Sequence, residues 1–117
     1  MEDIVKESLL FDFYGNLLTE KMRRVTELYN EDNLSLAEIA EQEGISRAAV
    51  HDRLQKAQLK LEAYESKLGL VARFMENGRA AMRIAALTEE IGRERTDDPD
   101  LNEKLREIRE LVAVISG

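Results

Sequence analysis

The chain has no cysteine and no tryptophan, one histidine (His51) and one proline (Pro99). Each absence removes a class of chemistry. Without cysteine there is no disulfide, no thiolate metal site and no cysteine nucleophile. His51 has neither a cysteine nor a second histidine beside it in the sequence, so neither a metal site nor a catalytic role is expected there. The tyrosines Tyr14, Tyr29 and Tyr64 are too scattered to form a base-stacking platform, and the aromatic pair and basic stripe of RNA-binding domains are missing. No apolar stretch approaches the ~18 residues of a membrane span. The segment MEDIVKESLLFDF lacks a basic region followed by an apolar run, so it does not read as a signal peptide. There is no phosphate-binding P-loop, no HExxH and no Gly-rich dinucleotide fingerprint. No nucleophile is paired with a base. The expectation is a cytoplasmic protein that is not an enzyme, with no metal, no cofactor and no membrane insertion.

What the chain does hold is charge and helix-forming residues. Of its 117 residues, 44% are hydrophobic and 35% charged, enough for one domain with a modest core. One proline and six glycines leave few breaks, which favours long helices. The formal net charge of -7 argues against strong non-specific attraction to nucleic acid. That charge is uneven. Residues 44–67 carry Arg47, Arg53, Lys56, Lys60 and Lys67 against Asp52, Glu62 and Glu65, a net of +2. Residues 34–43 carry Glu38, Glu41 and Glu43, a net of -3.

Apolar periodicity predicts a succession of helices. The first runs from about Asp3 to Tyr14, with Val5, Leu9 and Phe13 four apart and Leu10 and Tyr14 beside them; Gly15 and Asn16 end it. Thr19 caps a second, Glu20 to Asn30, whose apolar face is Met22, Val25 and Tyr29. After the polar loop Glu31-Asp32-Asn33, Ser35 caps a short helix, and Glu38 stands where it closes a capping box. Leu36, Ile39 and Ala40 face inward, and Gly44 stops this helix with a positive φ. Ser46 then caps a helix from Arg47 to about Leu68, buried along Ala49, Val50, Leu54, Ala57 and Leu61. Gly69 breaks the chain before a helix of about Leu70 to Arg93. Its periodic face holds Val71, Phe74, Met75, Gly78, Met82, Ala85 and Ile91, and Gly78, Ala81 and Ala85 are small enough for close helix contact. Thr96-Asp97-Asp98-Pro99-Asp100 reads as a linker. Within it Asp98 caps a last helix with Pro99 at its first position. The stripe Leu101, Leu105, Ile108, Leu111, Val112 and Ile115 must bury against this domain's core or a second copy.

The segment LSLAEIAEQEGISRAAVHDRLQKAQLKL, Leu34 to Leu61, has the order of a helix-turn-helix. Ala40 permits a tight crossing, Gly44 makes the turn, Ile45 and Val50 anchor it, and Ser46 starts the second helix. Such a unit seats the N-terminus of its second helix in a major groove. Ala48 lies on the outer surface of that first turn, and Arg47, His51 and Asp52 would stand nearest base edges. Arginine donates two bonds to guanine, and aspartate accepts from cytosine. Ser46, Arg53 and Lys56 are placed to touch phosphates, which position without specifying. A plainer reading stays open. Ser35 and Ser46 are explained as caps, Gly44 by the turn, and Arg53, Lys56 and Lys60 as a solvated face paired with acidic residues.

The ordered series LFDFYGNLLTEK (Leu10 to Lys21), LSLAEIAEQEGISRAAVHDRL and KLEAYESKLGL resembles the YlxM family of small bacterial proteins. The helix-turn-helix within it is also similar to region four of sigma factors, on Ile39, Ala40, Gly44, Ile45, Ser46, Val50 and Leu54. The resemblance implies an all-α helical bundle containing a sigma region-four-like helix-turn-helix, with extended C-terminal helices. It implies a DNA-binding regulatory protein linked to the signal recognition particle pathway, beside whose genes the family is usually encoded. Two alternatives stay open: an accessory protein that contacts the particle's RNA or protein without sequence-specific DNA binding, and a helical assembly adaptor. The partners in view are double-stranded DNA, signal recognition particle protein or RNA, and a second copy in a homodimer. Residues 1–95 are expected to form the helix-turn-helix core with its preceding and following helices, and residues 96–117 a C-terminal helix packing on that core or on a dimer partner.

Overall fold

The structure, a computed structural model, describes residues 2–95 and 97–116. These form α1 (Glu2–Tyr14), a 3-10 turn (Gly15–Leu17), α2 (Glu20–Asn30), α3 (Leu36–Glu43), α4 (Arg47–Leu68), α5 (Leu70–Glu94) and α6 (Pro99–Ser116), with no strand among the described residues. The fold is all-α, as the periodicity implies. Thr96 of the predicted linker lies outside the described residues.

The helix ends follow from the caps. The Thr19 hydroxyl accepts from Met22 N–H at 3.3 Å, that of Ser35 from Glu38 N–H at 3.1 Å, and that of Ser46 from Ala49 N–H at 3.0 Å. Asp98 accepts from Leu101 N–H at 3.1 Å, with Pro99 first in α6. Each of these bonds satisfies a donor that a helix start otherwise leaves to water. Gly44 and Gly69 end α3 and α4 in the left-handed region, at φ 69 and 64. Asn33 shares that region at φ 54, which asparagine tolerates, and it lets Leu34 N–H reach the Leu28 carbonyl at 3.1 Å.

Contacts divide the chain into two compact units, residues 1–71 and 72–117. In the first, α1, α2 and α3 all pack on α4, which is the hub of the unit. Its core joins Val25 and Leu28 of α2, Ile39 and Ala40 of α3, and Val50 of α4, with Leu34, Leu36, Ile45 and Leu54 packed around them. Leu10 and Tyr14 of α1 are also buried, as are Ala57 and Leu61 of α4. The inward faces differ in phase from the expected ones. On α1, Val5 and Phe13 are exposed while Leu10 and Tyr14 are buried. On α2, Leu28 is buried and Tyr29 is exposed. In both helices an apolar residue sits on each side of the stripe boundary, so spacing alone does not pick the phase.

The second unit holds most of α5 and all of α6. Its buried side chains are Ala81 and Thr88 on α5 and Leu105 and Val112 on α6. Met82, Ile91, Ile108, Leu111 and Ile115, all read as inward positions, are exposed. Gly78 makes no close approach, since a Cβ there would meet nothing within 4 Å. At Gly92 a Cβ would lie 3.7 Å from Leu105 Cδ1, an ordinary van der Waals contact.

Candidate nucleic-acid interface

The helix-turn-helix is built from α3, the turn Gly44-Ile45-Ser46, and α4. The Ala40 carbonyl accepts from both Gly44 N–H and Ile45 N–H, the latter at 3.1 Å. These two hydrogen bonds fold the chain back at the left-handed glycine and drop Ile45 onto the core. Ala40, almost fully buried, lets α3 and α4 approach. The start of α3 carries the complete capping box: Ser35 N–H donates to Glu38 Oε1 at 3.0 Å, and Glu38 N–H donates to Ser35 Oγ. The backbone donor at Ser35 holds the Glu38 carboxyl below its usual range. Arg24 of α2 ties the other end of α3 through Glu43, at 2.7 Å.

α4 is fixed at its far end by groups that sequence reasoning did not single out. The Tyr14 hydroxyl donates to Glu65 Oε1 at 2.6 Å and accepts from Leu70 N–H at 3.1 Å. The same Glu65 oxygen accepts from Val71 N–H at 3.0 Å. α1, the end of α4 and the start of α5 thus share one hydrogen-bonded node. Burial, then the Glu65 carboxylate, raise the Tyr14 phenol above its ordinary pKa. The signal for this node was present as a polar hydroxyl on an inward position of α1, but its partner stands 51 residues away.

The structure places the seven candidate contact residues on one short stretch of α4 and its cap. Ser46, Arg47, Ala48, His51, Asp52 and Lys56 are exposed, and Arg53 is half-buried. They do not all share a face. Val50, Ala57 and Leu61 define the buried stripe, so Ala48, Asp52 and Gln55 stand on the opposite, outermost side. Arg47 and His51 lie along one flank and Arg53 along the other. Gln55 was missed by the sequence reading, although its place three residues after Asp52 and seven after Ala48 marks the same face. Its amide is the type that pairs with adenine.

The electrostatics are mixed. Asp52 and Lys56 form an ion pair at 3.0 Å along one side of the helix, as the plainer reading expects of this face. Both are well exposed, so the pair is a weak clamp. Among the described residues neither Arg47 nor Arg53 takes part in an ion pair, which leaves both guanidinium groups for an outside acceptor. Glu38, Glu41 and Gln42 of α3, with Leu34 just before it, line a shallow acidic hollow. No group of three or more metal-ligating side chains comes together among the described residues. No helix among them is long and apolar enough to cross a membrane.

The sequence profile of the family described as "Putative helix-turn-helix protein, YlxM / p13 like" matches residues 1–108. A UPF0122 protein of Desulforamulus reducens is 42% identical over 108 residues, covering 92% of this chain and 91% of the relative. UPF0122 proteins of Bacillus thuringiensis and Bacillus mycoides are each 37% identical over 112 residues, covering 96% of both chains.

Proposed function

The chain belongs to the YlxM / p13-like family of helix-turn-helix proteins, and on that premise we propose that it is a regulatory protein that contacts duplex DNA through the N-terminal half of α4. The observation that carries this reading is the Ser46-capped start of α4, held by the Gly44 turn, with Arg47, Ala48 and His51 exposed and Arg47 free of any ion pair among the described residues. In this reading Arg47 and His51 reach base edges together with Asp52 and Gln55. Ser46, Arg53 and Lys56 approach phosphates. Base contact by Asp52 requires opening its pair with Lys56, which is cheap at that exposure. The chain's net charge of -7 and the acidic outer side of α3 oppose non-specific binding. Affinity for random duplex is therefore weak, and the salt slope is shallow for a DNA-binding protein.

A second reading has its own support. Leu59 is exposed on the outer side of α4, one turn beyond Gln55, and the acidic hollow of α3 lies on the same unit. An apolar residue amid mixed charge suits a protein surface better than a phosphate backbone. The partner in that reading is a component of the signal recognition particle.

The two separate in one experiment. Purified protein is presented with tiled genomic duplexes and, separately, with the assembled particle, at fixed near-physiological salt and with excess non-specific competitor. Regulation by DNA contact predicts a discrete duplex site whose affinity falls in Arg47→Ala and Arg53→Ala while the fold persists. Selective binding to the particle, with no duplex site, overturns it in favour of the second reading.

A further inference from the structure

We infer that the groove between α1 and the end of α2 is an anchor pocket for one arginine side chain, presented on an apolar stretch of a partner protein. The groove runs along one face of α1. Ile4, Ser8 and Phe11 stand four and three residues apart, the spacing that puts side chains in one row on a helix. Asn30 and Glu31, where α2 closes, form the facing wall. The volume is about 210 Å³. Pockets for drug-sized ligands hold ~300–1,000 Å³, so this one suits a single large side chain.

The lining selects a cation with a flat face. Phe11 is half-buried, and its ring packs on the backbone of the 3-10 turn: a Cβ added to the buried Gly15 would lie 3.1 Å from it. The ring that lines the groove is therefore held in place before any ligand arrives. Three carboxylates stand around it, Glu7, Asp12 and Glu31. Among the described residues no lysine or arginine lines the groove, and none of the three carboxylates takes part in an ion pair. The carbonyl end of α2, closing at Glu31, adds partial charge of the same sign. Carboxylates alone would take any cation, but the ring narrows the choice. A guanidinium stacks on an aromatic face while its five N–H donors fork to acceptors at the edge. A lysine ammonium is a compact and strongly hydrated point charge, so it gains less from the ring.

The source of the guanidinium is a protein segment, and the groove's own edge says so. Ile4 lines it and is 73% exposed, an aliphatic side chain left in water beside the carboxylates. An apolar neighbour of the inserted arginine covers Ile4, which a free guanidinium compound cannot do. A buried arginine with apolar neighbours around it is also the usual anchor of a protein interface. The surrounding charge agrees. Residues 1–33 carry eight carboxylates against four cations, a net of -4. That field draws in a basic segment and repels a phosphate backbone.

The inference is independent of the DNA reading, because its residues lie outside α4. The test is a backbone amide NMR titration of the full chain with the capped tripeptide leucyl-arginyl-leucine. Shifts should fall on residues 4–12 and 30–31 and leave residues 46–56 silent, with a dissociation constant on the order of 1 mM for so small a probe. Leucyl-lysyl-leucine, and capped arginine without its leucines, should each bind severalfold more weakly. Phe11→Leu, which keeps an apolar side chain without the ring, and Asp12→Asn should each weaken the tripeptide about two- to fivefold with helicity retained. Gly15→Ala should weaken it as well, since the added Cβ displaces the Phe11 ring and leaves every charge in place. Glu89→Gln, at an exposed carboxylate of α5, should not change it. No saturable shift at the groove, or shifts spread over carboxylates along the whole chain, overturns the pocket. Equal affinity for the lysine peptide overturns its choice of arginine, and equal affinity for capped arginine alone overturns the protein segment as its source.

Discussion

Replacing Gly44 by alanine isolates one physical term at the turn of the helix-turn-helix. Gly44 has φ 69 and ψ 33, and a Cβ built there meets nothing within 4 Å. No clash contributes, so the cost is conformational alone. An L-residue held in the left-handed region loses roughly 1–2 kcal/mol. Alanine recovers about 0.4–1 kcal/mol of this, because it restricts the unfolded chain more than glycine does. The net loss is about 1 kcal/mol, or a Tm lower by roughly 4–8 °C for a unit of this size. Gly44→Asn should lose less, since asparagine enters that region more readily. Urea unfolding followed by circular dichroism measures both, and the denaturant slope should match that of the wild type. No loss in Gly44→Ala would mean that the left-handed turn is not held. A loss above about 3 kcal/mol would mean that a packed contact, and not the backbone, sets the turn.

Other expectations follow from the same geometry. Ile39 is fully buried between α2 and α4, so Ile39→Ala should lose about 2–5 kcal/mol in urea and Ile39→Val about 0.5–1.5; a value near zero for the alanine would contradict the core assignment. The Glu38 carboxyl has a lowered pKa in the folded state, so its contribution is present above the unfolded value of ~4.3 and is lost as pH falls through the lower folded value. Glu38→Gln should therefore be less stable than wild type near neutrality, and the gap in urea midpoint should close in acid; a gap that does not move with pH would show that charge has no part in the cap. If α4 lies in a groove, Gln55→Ala should weaken the cognate site about 5- to 150-fold while sparing random duplex. Lys56→Ala should instead weaken both and reduce the salt slope by about 0.9. Equal behaviour of the two variants in a salt-controlled titration would reject that division of labour.

The sequence made the helix ends legible because they are written in local chemistry. Thr19, Ser35, Ser46 and Asp98 each accept from a backbone N–H three residues on. The turn glycines Gly44 and Gly69 adopt the positive φ that only their lack of a Cβ makes cheap. Faces were harder. Leu10 and Leu28, adjacent to the expected Leu9 and Tyr29, prove to be the better buried residues, because which side of a wide apolar stripe turns inward depends on partners distant in sequence. The Tyr14–Glu65 node was invisible for the same reason. In α5 the expected stripe of large residues is not the buried one: Met82 and Ile91 are exposed, whereas Ala81 and Thr88 are buried and Gly92 lies close to Leu105. At the candidate interface the local spacing located α4's first turns and their cap. It did not separate the outermost residues from the flanking Arg47 and Arg53, and it passed over Gln55. Surface residues carry no burial pattern, so their grouping emerges only when the buried stripe is known.

If the first turns of α4 form the contact face, they respond first to bound duplex. The direct measurement is a backbone amide NMR titration of the full chain with its selected duplex. The largest shifts should fall on residues 46–56, with Arg47, His51 and Gln55 foremost, and residues 84–91 and 108–115 should stay unchanged. Shifts concentrated on α5 and α6, or on the outer side of α3 with α4 silent, would contradict it.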